Sequence, residues 1–212
     1  MKYLSLLVGL ILFLSSAIQA QKDYKLINNT SQIAEKFQSV AGSLKTMQSN
    51  FVQEKYLASL SSTIISSGQF WYKKEDKVRW EYLKPFKYLV IKKDGKILLK
   101  DENGLRILNK NPNKAFEQMG KILESSIKGN LINDLDYSTK ISQNSKYIKI
   151  ELTPIKDEIS NDFKLIELFF LKGKYSIQRI KLTEVNDDSI SIIFENMKVG
   201  IPINESFFQI DK

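Results

Sequence analysis

Lys77-Val78-Arg79-Trp80-Glu81-Tyr82-Leu83 decides the fold class. Val78, Trp80 and Tyr82 point to one side of an extended chain, and Lys77, Arg79 and Glu81 to the other. Period-two alternation specifies a strand with one apolar and one wet face, as in antiparallel sheets. The pattern extends outward in both directions. Upstream, residues 47–54 and 66–73 read as strands. Downstream, residues 86–92 form another, and Asp94-Gly95 is a hairpin pair that joins it to 97–100. Asn103-Gly104 turns the chain into 105–108. Strands resume at 137–141, 147–153, 164–171, 176–184 and 189–197, with a short closing strand near 207–209. Ten or eleven hairpin-connected strands make an antiparallel sheet that must curl into a barrel or split into a sandwich.

Two segments change period from 2 to 3.6. Thr30 or Ser31 can cap a first helix, in which Ile33, Phe37, Val40 and Leu44 share one face. Asn113 can cap a second, residues 114–127, with Phe116, Met119, Leu123 and Ile127 on one face. Lys128-Gly129 supplies its stop. The fold class is therefore mainly β, α+β, with two amphipathic helices that each need a surface to cover.

The chain opens as an exported protein does. Met1-Lys2-Tyr3 is a short basic region, Leu4 to Leu14 is apolar, and a small residue stands at Ala20. An apolar core of about eleven residues is shorter than the roughly 20 a spanning helix needs. Residues 1–20 are therefore expected to be a signal peptide, cleaved after Ala20, although Ile18 at the −3 position is larger than usual. Residues 21–212 then form a single domain. There is no Cys, so no disulfide and no lipid-modified N-terminal Cys. The net charge of +8 becomes +7 once Lys2 is removed. Without a dense basic run in an exported chain, this balance does not point to nucleic acid; scattered Lys residues suit solvated strand faces.

Catalytic chemistry is thin. With no His and no Cys, a Cys nucleophile, a His base and the usual zinc sets are excluded. Ser125-Ser126-Ile127-Lys128 fits S-x-x-K without its companion motifs. No Gly-rich phosphate loop or EF-hand occurs. A carboxylate pair of the glycosidase kind stays open, because its separation is spatial. No catalytic residue, metal ligand or cofactor is expected. What the chain does have is a crowd of aromatics, Phe70, Trp71, Tyr72, Trp80, Tyr82, Phe86 and Tyr88. They suit either ordinary β-core or a lined cavity for an apolar ligand; composition alone favours core.

Phe51-Val52-Gln53, Gly68-Gln69-Phe70-Trp71-Tyr72-Lys73-Lys74, Val78-Arg79-Trp80-Glu81-Tyr82, Pro85 and Asp94-Gly95-Lys96, in this order and spacing, resemble the LolA family of periplasmic outer-membrane lipoprotein carriers. The resemblance spans about residues 30–100 most closely. It implies an incomplete, strongly curved antiparallel β-barrel of about 11 strands with a lid of helices over the open end. It also implies an acyl cavity and lid built from Phe37, Phe51, Phe70, Tyr72, Val78, Trp80, Tyr82, Phe116, Met119 and Leu123. The implied partners are acylated lipoproteins, an inner-membrane lipoprotein-release ABC transporter and an outer-membrane acceptor, with the carrier a monomer in the periplasm. Where the family often has Arg-Pro, a pair associated with lid control, this chain has Lys74-Glu75. Lys74 keeps the charge without the planar guanidinium. Arg79 is a lesser candidate, since it faces away from Trp80. A carrier of another amphiphile such as a glycolipid, and a lipid-sensing or protein-binding scaffold, are alternatives on the same fold.

Overall fold

The computed structural model describes residues 24–108 and 114–209. Residues 1–20, the expected signal peptide, and Asn113, the expected cap, lie outside that range. The strands are β1 (Lys25–Leu26), β2 (Thr46–Leu57), β3 (Ser62–Lys73), β4 (Lys77–Lys84), β5 (Tyr88–Lys93), β6 (Lys96–Asp101), β7 (Gly104–Leu108), β8 (Tyr137–Gln143), β9 (Tyr147–Pro154), β10 (Phe163–Leu171), β11 (Ser176–Glu184) and β12 (Ser189–Val199). The helices are α1 (Ser31–Ser43), α2 (Lys114–Lys128) and the single turn α3 (Asp157–Ser160).

All twelve strands join one antiparallel sheet in the order β1-β8-β9-β10-β11-β12-β2-β3-β4-β5-β6-β7. The order does not close, so the sheet is an incomplete barrel. Hairpin chemistry sets its registers. Asp94 and Gly95 both have positive φ, at 51° and 73°, which the tight β5–β6 turn requires. Bulges interrupt the ladder at Ser67/Gly68 and at Glu195/Lys198, and bulges bend the strands that carry them.

Alternation sorts the side chains onto two faces. The concave face carries one core, with Met47, Phe51, Phe70, Trp80, Ile166 and Ile192 among its members. Phe37 of α1 and Met119, Ile122, Leu123 and Ile127 of α2 complete that core from above. The convex face would be wet, but the C-terminal segment folds across it. Ile203 and Phe208 cover Trp71 and Ile91 there.

Several sequence expectations need correction. Residues 207–209 are not a strand; Glu205–Phe208 is a 3₁₀ turn whose Phe208 is pinned in the convex cluster. Phe86 is 78% exposed and precedes β5 rather than opening it. Val40 is exposed, and the buried positions of α1 are Ala34 and Phe37. The helix touches the sheet over a narrower face than its apolar spacing suggests. β1 has two residues, too few for periodicity to reveal, and its pairing with β8 brings the count to twelve.

Gly68 shows how tightly β2, β3 and β4 approach one another. A Cβ there would lie 1.9 Å from the Glu81 carbonyl oxygen and 2.8 Å from the Phe51 ring. Gly42, within α1, has nothing within 4 Å of the same position. Gly68→Ala should therefore destabilise the fold by about 3 kcal/mol. Gly42→Ala should be neutral or stabilising by up to about 1 kcal/mol. Urea unfolding of the two variants checks the contrast, and equal midpoints would contradict it.

Candidate lipid-binding cavity

Between α2 and the concave face of β3–β6 lies a cavity of about 220 Å³. Two rungs of the ladder build its floor. Val78 of β4 stands opposite Lys92 of β5, which stands opposite Ile97 of β6. Trp80 stands opposite Val90. Tyr72 stands opposite Val78. The roof is the apolar stripe of α2, Phe116, Met119, Leu123 and Ile127. Side chains that would be helix core in another protein are cavity roof here.

Of the ten expected cavity and lid residues, six line this space: Tyr72, Val78, Trp80, Phe116, Met119 and Leu123. Phe51 and Phe70 form the layer beneath, with ring centroids 4.9 and 5.2 Å from that of Trp80. Tyr82 belongs to an adjoining groove, lined also by Gln53, Ile64, Phe86 and Phe116. Phe37 lies elsewhere, edge-on to Phe170 at 4.5 Å and to Tyr175 at 5.2 Å. Trp71 is on the convex face, where Arg79 stacks on it at 5.6 Å and donates to the Phe207 carbonyl. Arg79 therefore faces away from the cavity, as strand parity indicated.

Lys74 is exposed in the β3–β4 turn, and among the described residues its side chain joins no ion pair. Charged groups around it reach α2 instead. Lys92 Nζ lies 2.6 Å from a Glu124 carboxylate oxygen, and Lys128 Nζ lies 3.3 Å from Asp76 Oδ1. Glu124 also pairs with Lys128 at 2.7 Å. On the other flank of the helix, Gln118 Nε2 donates to the Tyr137 hydroxyl at 2.6 Å in a buried contact. The sequence reading missed Lys92, Asp76 and Glu124. The signal for Lys92 was available, since it shares a strand face with Val90.

These contacts shift several protonation equilibria. Burial pushes the Glu124 carboxyl up, but hydrogen bonds from Lys128 and Lys92 outweigh it and hold the group below its ordinary value. The Glu124 hydrogen bond holds Lys128 above its ordinary value. Burial pushes the Tyr82 phenol up, and the Trp80 N–H partly opposes it. Burial raises the Tyr137 phenol to about 12.

The family model for outer membrane lipoprotein carrier protein LolA matches residues 42–211. The chain belongs to the LolA family. The outer-membrane lipoprotein carrier protein of Methylococcus capsulatus is 24% identical over 174 residues, which is 82% of this chain and 81% of that protein. Among solved structures, a DUF1329 family protein from Desulfovibrio piger superposes with a TM-score of 0.50 at 11% identity, covering 84% of this chain and 95% of that one. A chain of the Pseudomonas aeruginosa MucA/MucB complex gives 0.52 at 15% identity, covering 84% of this chain and 60% of that one. At these identities the two structures speak for the fold alone. The LolA match takes in the whole of the sheet from β2 to β12 together with α2, so floor and roof of the cavity both lie within it.

The ion pairs around Glu124 make the seating of α2 depend on salt and acid. Glu124 titrates below its ordinary 4.5, so its tether is complete at neutral pH and fades as pH falls through that lowered value. Glu124→Gln should remove both contacts at a cost on the order of 1 kcal/mol or less. Hydrogen exchange of the α2 amides should accelerate in the variant, and in the parent protein at high salt. Unchanged exchange in α2 would show that the pairs do not hold the helix.

Proposed function

We propose that this protein is a periplasmic carrier that shields the acyl chains of lipoproteins released from the inner membrane and delivers them to the outer membrane. One observation carries the reading: an apolar cavity whose roof is a single amphipathic helix, in a LolA-family chain. Cleavage after Ala20 would free residues 21–212 to diffuse. No helix among the described residues is long and apolar enough to cross a membrane.

The cavity volume suggests how loading works. About 220 Å³ is below the roughly 300–1,000 Å³ of ordinary ligand pockets. Acyl chains therefore enter only as α2 moves outward and exchanges its own apolar contacts for theirs. Each buried methylene contributes about 0.8 kcal/mol. Displaced helix burial subtracts from that gain, which leaves binding firm enough to keep a lipoprotein dissolved and loose enough to release it. An inner-membrane ABC transporter would drive loading, and a tighter outer-membrane acceptor would drive release. The carrier acts as a monomer, one to one with its cargo. The exchange is one of non-covalent contacts and asks for no catalytic residue, metal or cofactor. Lys74 remains the position matching the family's lid-control Arg, with Asp76, Lys92, Glu124 and Lys128 the charged groups that reach the lid.

Native mass spectrometry after incubation with a triacylated lipoprotein should show a one-to-one complex; no complex under any release condition removes the lipoprotein reading. Trp80 lines the cavity and Trp71 does not, so acyl binding should change Trp fluorescence in a Trp71→Phe background. Trp80→Ala should weaken binding at least tenfold more than Trp71→Ala, given the 1.5–3 kcal/mol that a large buried side chain contributes. Equal effects of the two substitutions would overturn the assignment of Trp80 to the wall.

A further inference from the structure

Exposed apolar side chains gather at one end of the sheet. β2 and β3, of twelve residues each, form a hairpin that runs past the core. Residues 59–65 are all exposed, so the alternation of wet and buried faces is lost there. Leu60 is 69% exposed, Ile65 63% and Ile64 47%. No charged residue occurs between Lys55 and Lys73. The β4–β5 connection comes up beside the hairpin. Ser67 pairs with Lys84, and Ile64, Lys84, Pro85 and Phe86 line one groove. Leu83-Lys84-Pro85-Phe86-Lys87 is exposed throughout, with Phe86 the most open of its apolar residues. The nearby carboxylates lie mainly to the side of β12. There Asp188 accepts from the Ala58 N–H at 2.8 Å, Asp187 pairs with Lys164, and Glu184 shares a pocket with Lys55. Free positive charge lies on the other side. Lys84 and Lys87 frame Phe86, and neither joins an ion pair among the described residues. Glu102 shares a groove with Lys87 and Lys100, and Asp101 there pairs with Arg106.

Single exposed apolar residues are ordinary, but a contiguous set beside free cations marks a contact surface. We propose that this end is a membrane-contacting tip. Leu60, Ile64, Ile65 and Phe86 enter the interfacial layer of an anionic lipid bilayer, and Lys84 and Lys87 meet its head groups. A bilayer accepts a projecting apolar tip without a matching shape, and its anionic head groups attract cations placed at the rim. The hydroxyls interleaved in the hairpin, Ser59, Ser61, Ser62 and Thr63, suit a layer that is part water and part head group. The groove at the tip also takes in Phe116 of the cavity roof, so docking would bring the bilayer against the start of α2. The inference goes beyond the carrier reading and stands without it.

Co-sedimentation with vesicles provides the test. The exported chain, residues 21–212, is used, because the apolar segment 4–14 would itself enter a bilayer. One set of vesicles is phosphatidylcholine alone, and the other adds phosphatidylglycerol. The unsubstituted chain should partition onto the anionic vesicles roughly tenfold or more better than onto the neutral ones, and less so as salt rises. Phe86→Ser should lower partition about tenfold. Leu60→Ser/Ile65→Ser, away from the groove, should do the same independently. Lys84→Gln/Lys87→Gln should lower binding to the anionic vesicles about fivefold per lysine and leave the neutral ones unaffected. Val199→Ser should change nothing, since Val199 is exposed but pairs with Met47 at the far end of β2. All these side chains are exposed, and urea midpoints at the parental value confirm that each variant folds. Equal partition onto the two kinds of vesicle overturns the inference, as does partition that survives both apolar variants. Binding to neither by a chain that still forms the one-to-one lipoprotein complex overturns it too, in favour of a protein partner at the tip, and leaves the carrier reading intact.

Discussion

Twelve antiparallel strands that curve without closing leave an apolar concave face, and water must be kept from it. Everything else in the molecule follows from how that face is covered. A closed barrel would fill its interior with its own side chains. Here the filling comes from above, through Met119, Ile122, Leu123 and Ile127 of α2 and Phe37 of α1. Large apolar side chains contribute about 1.5–3 kcal/mol each on burial. The ion pairs at the rim contribute on the order of 1 kcal/mol or less apiece. The helix is therefore attached mainly by the hydrophobic effect, which is non-directional and accepts a substitute. Another apolar body of similar area can take its place on the sheet. That is the physical basis on which the proposed lid would open to hydrocarbon and stay shut in water.

The opposite face is covered in a different way. Trp71 stands one residue from Tyr72 and so points away from the cavity. The C-terminal segment covers it, with Ile203 and Phe208 buried against it and Arg79 stacked on its ring. Lys73 and Lys77 both pair with Glu205 of that segment, at 2.6 and 3.1 Å. One strand pair thus presents a core closed by the C-terminal segment on one side and a core closed by α2 on the other. The two tryptophans of the chain divide between them.

Much of this was legible in the residues. Alternation at 77–83 placed Val78, Trp80 and Tyr82 on one face, and the spacing of Phe116, Met119, Leu123 and Ile127 placed four residues on one side of α2. Both readings rest on the fixed periodicities of strand and helix, which are local. What was not legible depended on distance along the chain. Nothing local distinguishes Phe207 and Phe208 from a short strand; only their docking onto Trp71, more than a hundred residues earlier, makes them a turn. Phe37 belongs to the right stripe, but which end of the concave face α1 covers is decided by Phe170 and Tyr175. Val40 kept the helical spacing and still faces water, because α1 crosses the sheet on a narrow contact.

Lys92 is the residue where local pattern and tertiary structure conflict most. It lies on the cavity side of β5, between Val78 and Ile97 on one rung, where an aliphatic residue would pack better. Its ammonium group meets Glu124, whose carboxylate also holds Lys128. Pairs this exposed add little to stability, because both partners regain water when they separate. Their directional geometry does something that burial cannot. The apolar stripe of α2 would tolerate a slide along the sheet or a rotation about the helix axis, since one aliphatic contact replaces another. In the register observed, Glu124 meets Lys92 while Lys128 meets Asp76. In the proposed lid movement the charges would specify where the helix returns, and the hydrophobic face would supply the force that returns it.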